Sequence, residues 1–188
     1  PEVMLNYLAL LGWSPGQDLE LLTRAGIIVE TEAHLAAVAH GVHGVPTRGM
    51  RFFNVYGPRQ DPASPYSGVI SIFAGRIGRG EPIAMFGDGS QTRDFIFVAD
   101  VARCLGRGME VLAGGRGVAT AEVFNVCTGN ATSVRQLAGL LMEIAGRRVT
   151  IDLRPPRDGD IKASIGDPGA AQRRLGFSAA VALGDGLA

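Results

Sequence analysis

Apolar positions change period repeatedly along this chain, and each change marks a helix or a strand. Residues 1–12, PEVMLNYLALLG, place Val3, Met4, Tyr7, Leu8, Leu10 and Leu11 on a broad helical stripe that Gly12 ends. Trp13 to Gly16 form a turn, Asp18 to Arg24 fit a second short helix, and Thr31 caps a third that runs to His43. The pattern then shortens. Gly49 to Tyr56 (GMRFFNVY) suits a buried parallel strand up to Val55, and Gly57 to Gln60 stop it abruptly. Beyond a Pro- and Ser-containing loop at 61–68, the spacing predicts a helix over Val69 to Arg79 with Ile70, Ile72, Phe73 and Ile77 inward, ended by Gly80.

Short elements follow in quick succession. Pro82 to Phe86 reads as a strand, Gly87 to Ser90 as a turn, and Asp94 to Val98 as a short buried strand. Asp100 opens a helix with Val101, Ala102, Leu105, Met109 and Leu112 inward. After a Gly-rich connection at 113–118, Glu122 to Cys127 forms a second strong strand. Ser133 and Gln136 make a capping box ahead of a helix whose Val134, Leu137, Leu140, Leu141 and Ile144 share a face. Val149 to Leu153 is a strand, Arg154 to Asp160 (RPPRDGD) an arginine-bearing turn, and Asp167 with Pro168 caps a helix that stops at Gly176. Val181 to Ala188 begins one more helix. Strands alternating with helices make the fold class α/β.

Composition narrows the function. The chain has 188 residues, 46% of them hydrophobic, enough for one packed domain with a small appendage. Eighteen basic and 18 acidic residues cancel, with no block of like charge. A broad basic face for nucleic acid is therefore excluded, although a local cluster can still hold one phosphate group. Cys104 and Cys127 are too few for a disulfide framework, which points to a reducing cytoplasm and buried thiols. No apolar run reaches membrane-spanning length, and no charged region precedes the first apolar stretch. The expectation is a cytoplasmic protein, or a piece of one. Lys162 is the only lysine, so any chemistry that needs a lysine must use it.

Three features carry candidate chemistry. Arg93 stands just before a buried strand, where its planar fork suits phosphate oxygens; the alternative is a surface pair with Asp94 or another acid. Asn54 stands at the carboxyl end of a strand, where ligands of open α/β sheets bind; the alternative is that it only satisfies loop backbone. His34, His40 and His43 fall on one helix, but His34 is displaced from the other two and no Cys or acid completes a ligand set, so no metal site is expected.

The segments MRFFNVYGPRQDP at 50–62, SPYSGVISIF at 64–73, PIAMFGDGSQTRDFIFVADVA at 82–102, VFNVCTG at 123–129 and PPRDGDI at 155–161 resemble, in order, successive motifs of the extended short-chain dehydrogenase/reductases. Within that family the likeness is to UDP-sugar 4-epimerases, and it covers the second half of such an enzyme, from about Glu32 onward. It implies the C-terminal part of the fold: an incomplete Rossmann sheet plus a small α/β substrate-binding domain over 31–188. It also implies NAD as the family's cofactor and a UDP-sugar as ligand. Carried over by motif, Asn54 would contact the UDP-sugar and Phe53 would lie beside the nicotinamide. Val69, Ala84 and Phe86 would line the uracil and ribose pocket. Arg93 and Arg157 would grip the diphosphate, and Asp160 would accept from a ribose hydroxyl.

Parts of that family's pattern are missing. No G-x-G-x-x-G turn is present to hold the pyrophosphate of NAD. The family's Tyr-x-x-x-Lys pair, whose lysine lowers the tyrosine pKa for proton transfer, has no counterpart, because Tyr7, Tyr56 and Tyr66 are followed four residues on by Leu11, Gln60 and Ile70. No catalytic residue is therefore assigned. Residues 1–20 instead resemble a short piece of bacterial glutamyl-tRNA synthetase, which makes 1–30 a helical segment foreign to the rest. The resulting expectation is the UDP-sugar-binding portion of a 4-epimerase, inactive alone, with a UDP binder lacking turnover or a non-functional fusion as alternatives. Unpaired sheet edges and apolar faces would make it marginally stable and prone to self-association.

Overall fold

The computed structural model describes residues 41–42, 46–60, 68–113 and 122–188. The helices expected within 1–12, 18–24 and most of 31–43, and all three histidines, lie outside the described residues.

The expected strand at 49–56 forms as two consecutive pieces, β1 (Arg48–Phe52) and β2 (Asn54–Tyr56), because it changes partners at Phe53. β1 runs parallel to β6 (Glu122–Val126), with Met50 opposite Phe124. β2 runs parallel to β5 (Phe95–Phe97), with Asn54 opposite Phe95. The junction is closed by main-chain bonds from Phe53 N to Val126 O at 3.2 Å and from Asn54 N to Asp94 O at 3.0 Å. A single strand thus ties two parts of the molecule together.

Alternation along β5 decides where the cores lie. Successive strand residues point to opposite faces, so Phe95 enters one core and Ile96 the other. The first core gathers Tyr56, Phe73, Ile77, Ile83, Met85 and Leu137 between α1 (Val69–Arg79), α3 (Val134–Ile144) and β3 (Ile83–Phe86). The second gathers Met50, Val101, Cys104, Phe124, Leu175 and Phe177 between α2 (Val98–Ala113), β1, β6 and α4 (Gly169–Leu175). β3 pairs in parallel with β8 (Ile151–Arg154). A small sheet that the apolar pattern does not reveal joins β4 (Thr92–Arg93) antiparallel to β7 (Thr132–Ser133) and parallel to β9 (Ala163–Ser164). A five-residue helix, α5 (Leu183–Leu187), closes the chain against β5 and α3.

Local signals performed as expected where they were chemical. Gly80 adopts φ 73° at the end of α1, and its N–H and that of Glu81 satisfy the last turn's carbonyls. The capping box at α3 is complete: Ser133 Oγ accepts from Gln136 N at 3.1 Å, and Gln136 Oε1 accepts from Ser133 N at 2.8 Å. Asp167 Oδ1 accepts from Gly169 N at 2.8 Å as α4 begins, and Gly176 ends that helix at φ 60°.

Several expected inward positions are corrected. Val98 does not belong to the buried strand; it is 42% exposed and starts α2, two residues before Asp100. The buried stripe of α2 is Asp100, Val101, Cys104 and Gly108, while Ala102 and Met109 face solvent. Met50 lies so close to Gly108 that any side chain there would strike it, so a glycine forms part of this helix's packing face. Ile72 on α1 and Ile144 on α3 are exposed, as is Leu153 on β8, because each sits at the rim of its apolar stripe. None of the helices among the described residues is long and apolar enough to cross a membrane.

Candidate functional site

The segments 86–93 and 154–161 come together beyond the ends of β3 and β8. Ile83 and Met85 are buried in the first core, so the period of two leaves Ala84 and Phe86 on the opposite face, half-buried. The Arg157 guanidinium lies over the Phe86 ring, 3.8 Å from its centroid. At this distance the guanidinium is attracted to the face of the ring, which holds it in place. The 154–161 turn is shaped by Gly159 at φ 78° and by Asp160 N donating to Arg157 O at 3.2 Å.

Arg93 does not pair with Asp94, but it does pair with another acid, Asp160 of the 154–161 turn. Its Nη2 donates to Asp160 Oδ1 at 2.7 Å, and its Nη1 donates to Ile161 O at 2.6 Å and Thr92 O at 2.9 Å. Four of the sequence-selected residues are linked by successive contacts: Phe86 to Arg157, Arg157 to Asp160 through the main chain, and Asp160 to Arg93. Asp160 is paired with this guanidinium while its side chain stays partly open to solvent.

Asn54 and Val69 form a separate group. With Val55, Tyr56, Gln60, Gly68, Ile70 and Phe95 they line a cleft of about 180 Å³. Asn54 Nδ2 donates to Asp94 O at 3.2 Å, so the residue both lines the cleft and satisfies backbone. Arg59, in the loop after β2, has φ 68°, a left-handed conformation that side chains other than glycine enter at a cost of about 1–2 kcal/mol. Phe53 belongs to neither group; its ring packs on Gly166, where an added Cβ would come within 2.7 Å of the ring and 2.5 Å of Cys127 Sγ. A wider, open hollow of about 600 Å³ lies at the start of α3, where Arg135 is already tied to Asp88 O.

Titration separates structure from chemistry. Burial, followed by the charges of Asp100 and Asp185, pushes the Tyr56 phenol up to about 12, and its hydroxyl donates to Leu183 O at 3.4 Å. That is the opposite of what proton abstraction requires. Burial raises the Cys104 thiol to about 11 and, with Asp94 nearby, the Cys127 thiol to about 12. Among the described residues, no cluster of His, Cys, Asp or Glu can hold a metal ion.

One residue of this region escaped the sequence reading. Asp94 is fully buried, and its carboxylate accepts from Thr128 N, Thr128 Oγ1, Gly129 N and Gly166 N. The signal was available: a carboxylate leading directly into an apolar strand has to find donors when it is buried. Asp100, equally buried, accepts from Ala180 N and Val181 N at 3.0 Å and faces Arg103 at 2.8 Å.

Residues 30–127 match the NAD dependent epimerase/dehydratase family. The chain belongs to that family. It is 40% identical over 135 residues to the UDP-glucose 4-epimerase of Mycolicibacterium smegmatis, an alignment covering 72% of this chain and 41% of that protein. The solved UDP-glucose 4-epimerase of Thermotoga maritima with UDP-glucose superposes with a TM-score of 0.75 at 41% identity, over 85% of this chain and 48% of the other. The UDP-glucuronic acid 4-epimerase of Bacillus cereus, solved with UDP-glucuronic acid and NAD, gives 0.71 at 30% identity, over 82% and 46%. The chain thus spans about half the length of the epimerases it matches, and is related to NAD-dependent UDP-sugar 4-epimerases.

Family members use NAD. Among the described residues, no strand is followed by the glycine-rich turn whose N–H groups would receive the pyrophosphate of NAD.

Proposed function

We propose that this chain binds a UDP-sugar, as the substrate-binding portion of an NAD-dependent nucleotide-sugar 4-epimerase, and does not turn the sugar over by itself. The observation that carries this reading is that Arg93 and Arg157 are each held by a protein group, Arg93 by Asp160 and Arg157 by the Phe86 ring, in segments linked through Asp160. A diphosphate carries charge on several oxygens. Two forked guanidinium groups fixed in advance meet that charge with short, charge-assisted bonds and little ordering cost.

Each remaining residue then has a physical task. Phe86 supports Arg157 and, with Ala84 on the same strand face, presents an apolar wall for the base. Asp160 accepts from a ribose hydroxyl, for which it exchanges part of its contact with Arg93. Val69 and Asn54 line the neighbouring cleft, where Asn54 orients the sugar, and Phe53 presents a ring face toward the nicotinamide side. Firm nucleotide binding beside a loosely held sugar is what a 4-epimerase requires, since the sugar must present both faces to one hydride donor.

A binder without turnover is the second reading, favoured by the absence of a Tyr-x-x-x-Lys pair and by the raised Tyr56 pKa of about 12. Calorimetric titration with UDP tests binding: a saturable isotherm supports it, and the absence of heat with no protection against thermal unfolding refutes it. Incubation with UDP-glucose and NAD tests turnover. UDP-galactose in the product would overturn the argument from the missing pair. Self-association through exposed edges belongs to the same proposal, and sedimentation at two concentrations measures it.

A further inference from the structure

We infer that Asp94 is the positioning residue of the nucleotide-sugar site: one buried residue whose carboxylate and main chain together set Asn54, Phe53 and β4 relative to one another. The inference rests on the UDP-sugar reading above and extends it to a residue that touches no ligand.

The geometry is a joint between four segments. On the main chain, Asp94 N donates to Ser164 O at 2.9 Å, which fixes β4 against β9. Asp94 O receives both Asn54 N at 3.0 Å and Asn54 Nδ2 at 3.2 Å, so the orientation of the Asn54 amide is set by this one carbonyl. On the side chain, Oδ1 receives Thr128 N at 2.8 Å and Thr128 Oγ1 at 2.7 Å, while Oδ2 receives Gly129 N at 2.8 Å and Gly166 N at 3.4 Å. Gly166 is the residue on which the Phe53 ring rests, and a Cβ there would overlap both that ring and Cys127 Sγ. Arg93, the last residue of β4, immediately precedes Asp94.

The chemistry requires a carboxylate. All four groups facing the two oxygens are donors, so an acid that only accepts satisfies them. An amide in its place turns a donor toward at least one N–H, and a buried donor left without an acceptor is destabilising. Because two separate segments, 128–129 and the one holding Gly166, converge on the carboxylate, the cost appears as displacement of those segments as well as lost stability. Displacement of Gly166 frees Phe53, and displacement of the Asp94 carbonyl turns Asn54. Asp100 provides the comparison: it too is buried and accepts two main-chain donors, but those belong to residues 180 and 181, which do not line the cleft and are not among the hydrogen-bond partners of Arg93 or Arg157.

The test uses Asp94→Asn and Asp100→Asn, with Thr128→Val as a milder variant that removes only the hydroxyl donor and Thr128→Ser as its conservative rescue. UDP and UDP-glucose affinities are measured by calorimetry, thermal unfolding by circular dichroism, and amide hydrogen exchange at Asn54, Gly129 and Gly166 by NMR. Both Asp variants lower Tm. Asp94→Asn alone is expected to reduce the ratio of UDP-glucose to UDP affinity by fivefold or more and to speed exchange at the three amides at least tenfold; Thr128→Val gives a smaller effect in the same direction, which Thr128→Ser reverses. An unchanged affinity ratio in Asp94→Asn, or an equal change in Asp100→Asn, would show that Asp94 only stabilises the fold. Should Asp94→Asn fail to fold, the Thr128 pair decides in the same way. Absence of UDP binding by the wild-type chain would sink the UDP-sugar reading and the positioning role together, and is distinguished by being seen before any substitution.

Discussion

Removing Arg93 should separate a ligand-binding arginine from a merely structural one. In the free protein its guanidinium makes three bonds, to Asp160, Ile161 O and Thr92 O, and its side chain retains 18% of its accessibility while that of Asp160 retains 31%. An ion pair this open contributes about 0–1 kcal/mol, and the carbonyl bonds add a similar amount. Arg93→Ala is therefore expected to cost about 1–2 kcal/mol of stability, a fall in Tm of about 2–8 °C for a chain of this size. The effect on UDP is larger. Charge-assisted bonds to a phosphate oxygen are worth about 1.5–3 kcal/mol, which at about 1.4 kcal/mol per decade weakens binding about 10- to 150-fold. Arg93→Lys keeps the charge but loses the fork, and should fall between the two. Calorimetry with UDP below the Tm of the variant reads the affinity. A Kd within threefold of wild type, together with the expected drop in Tm, would show that Arg93 only tethers the 157–161 turn, and the diphosphate assignment would fail.

Other consequences follow from the same geometry. Leu137→Ala, at a fully buried position, should cost about 2–5 kcal/mol, whereas Ile144→Ala on the same helix, 40% exposed, should cost under about 1 kcal/mol; thermal unfolding of the pair checks the difference. Ser133→Ala breaks the capping box and should cost about 1 kcal/mol in a urea titration, with an unchanged midpoint counting against the cap. At pH 8 a free thiol is about one quarter thiolate, but thiols raised to about 11 and 12 are almost wholly protonated, so Cys104 and Cys127 should react with a disulfide reagent more than a hundredfold faster in urea than when folded. Tyr56 ionises near 12 in the folded state, above its unfolded value near 10, so its contribution to stability is complete below pH 10 and fades as pH rises through 12. An ultraviolet titration in which all three tyrosines ionise together near pH 10 without unfolding would refute that.

Much of the fold was legible because it rests on short-range rules. The helix at 69–79 is bounded by the glycine that its last turn needs, the capping box at Ser133 and Gln136 is a contact between neighbours in sequence, and the strands at 48–56 and 122–126 are apolar runs of the right length. The candidate site residues were legible only through the ordered motifs they belong to. Composition could not distinguish Arg93 as an anion ligand from Arg93 as a surface partner of Asp94.

Tertiary structure decided what depends on distant segments. The three two-residue strands β4, β7 and β9 exist only because residues 92–93, 132–133 and 163–164 meet, and no period can be read from two residues. Ile144, Leu153 and Met109 are apolar at plausible inward positions yet exposed, because burial depends on what packs opposite them. Asp94 makes the point most sharply. In the sequence it is an acid beside an arginine; in the fold it turns away from Arg93 and takes its donors from residues 34, 35 and 72 positions away. The sequence determined that a charge enters this strand, but only the packed chain determined which N–H groups would be close enough to receive it.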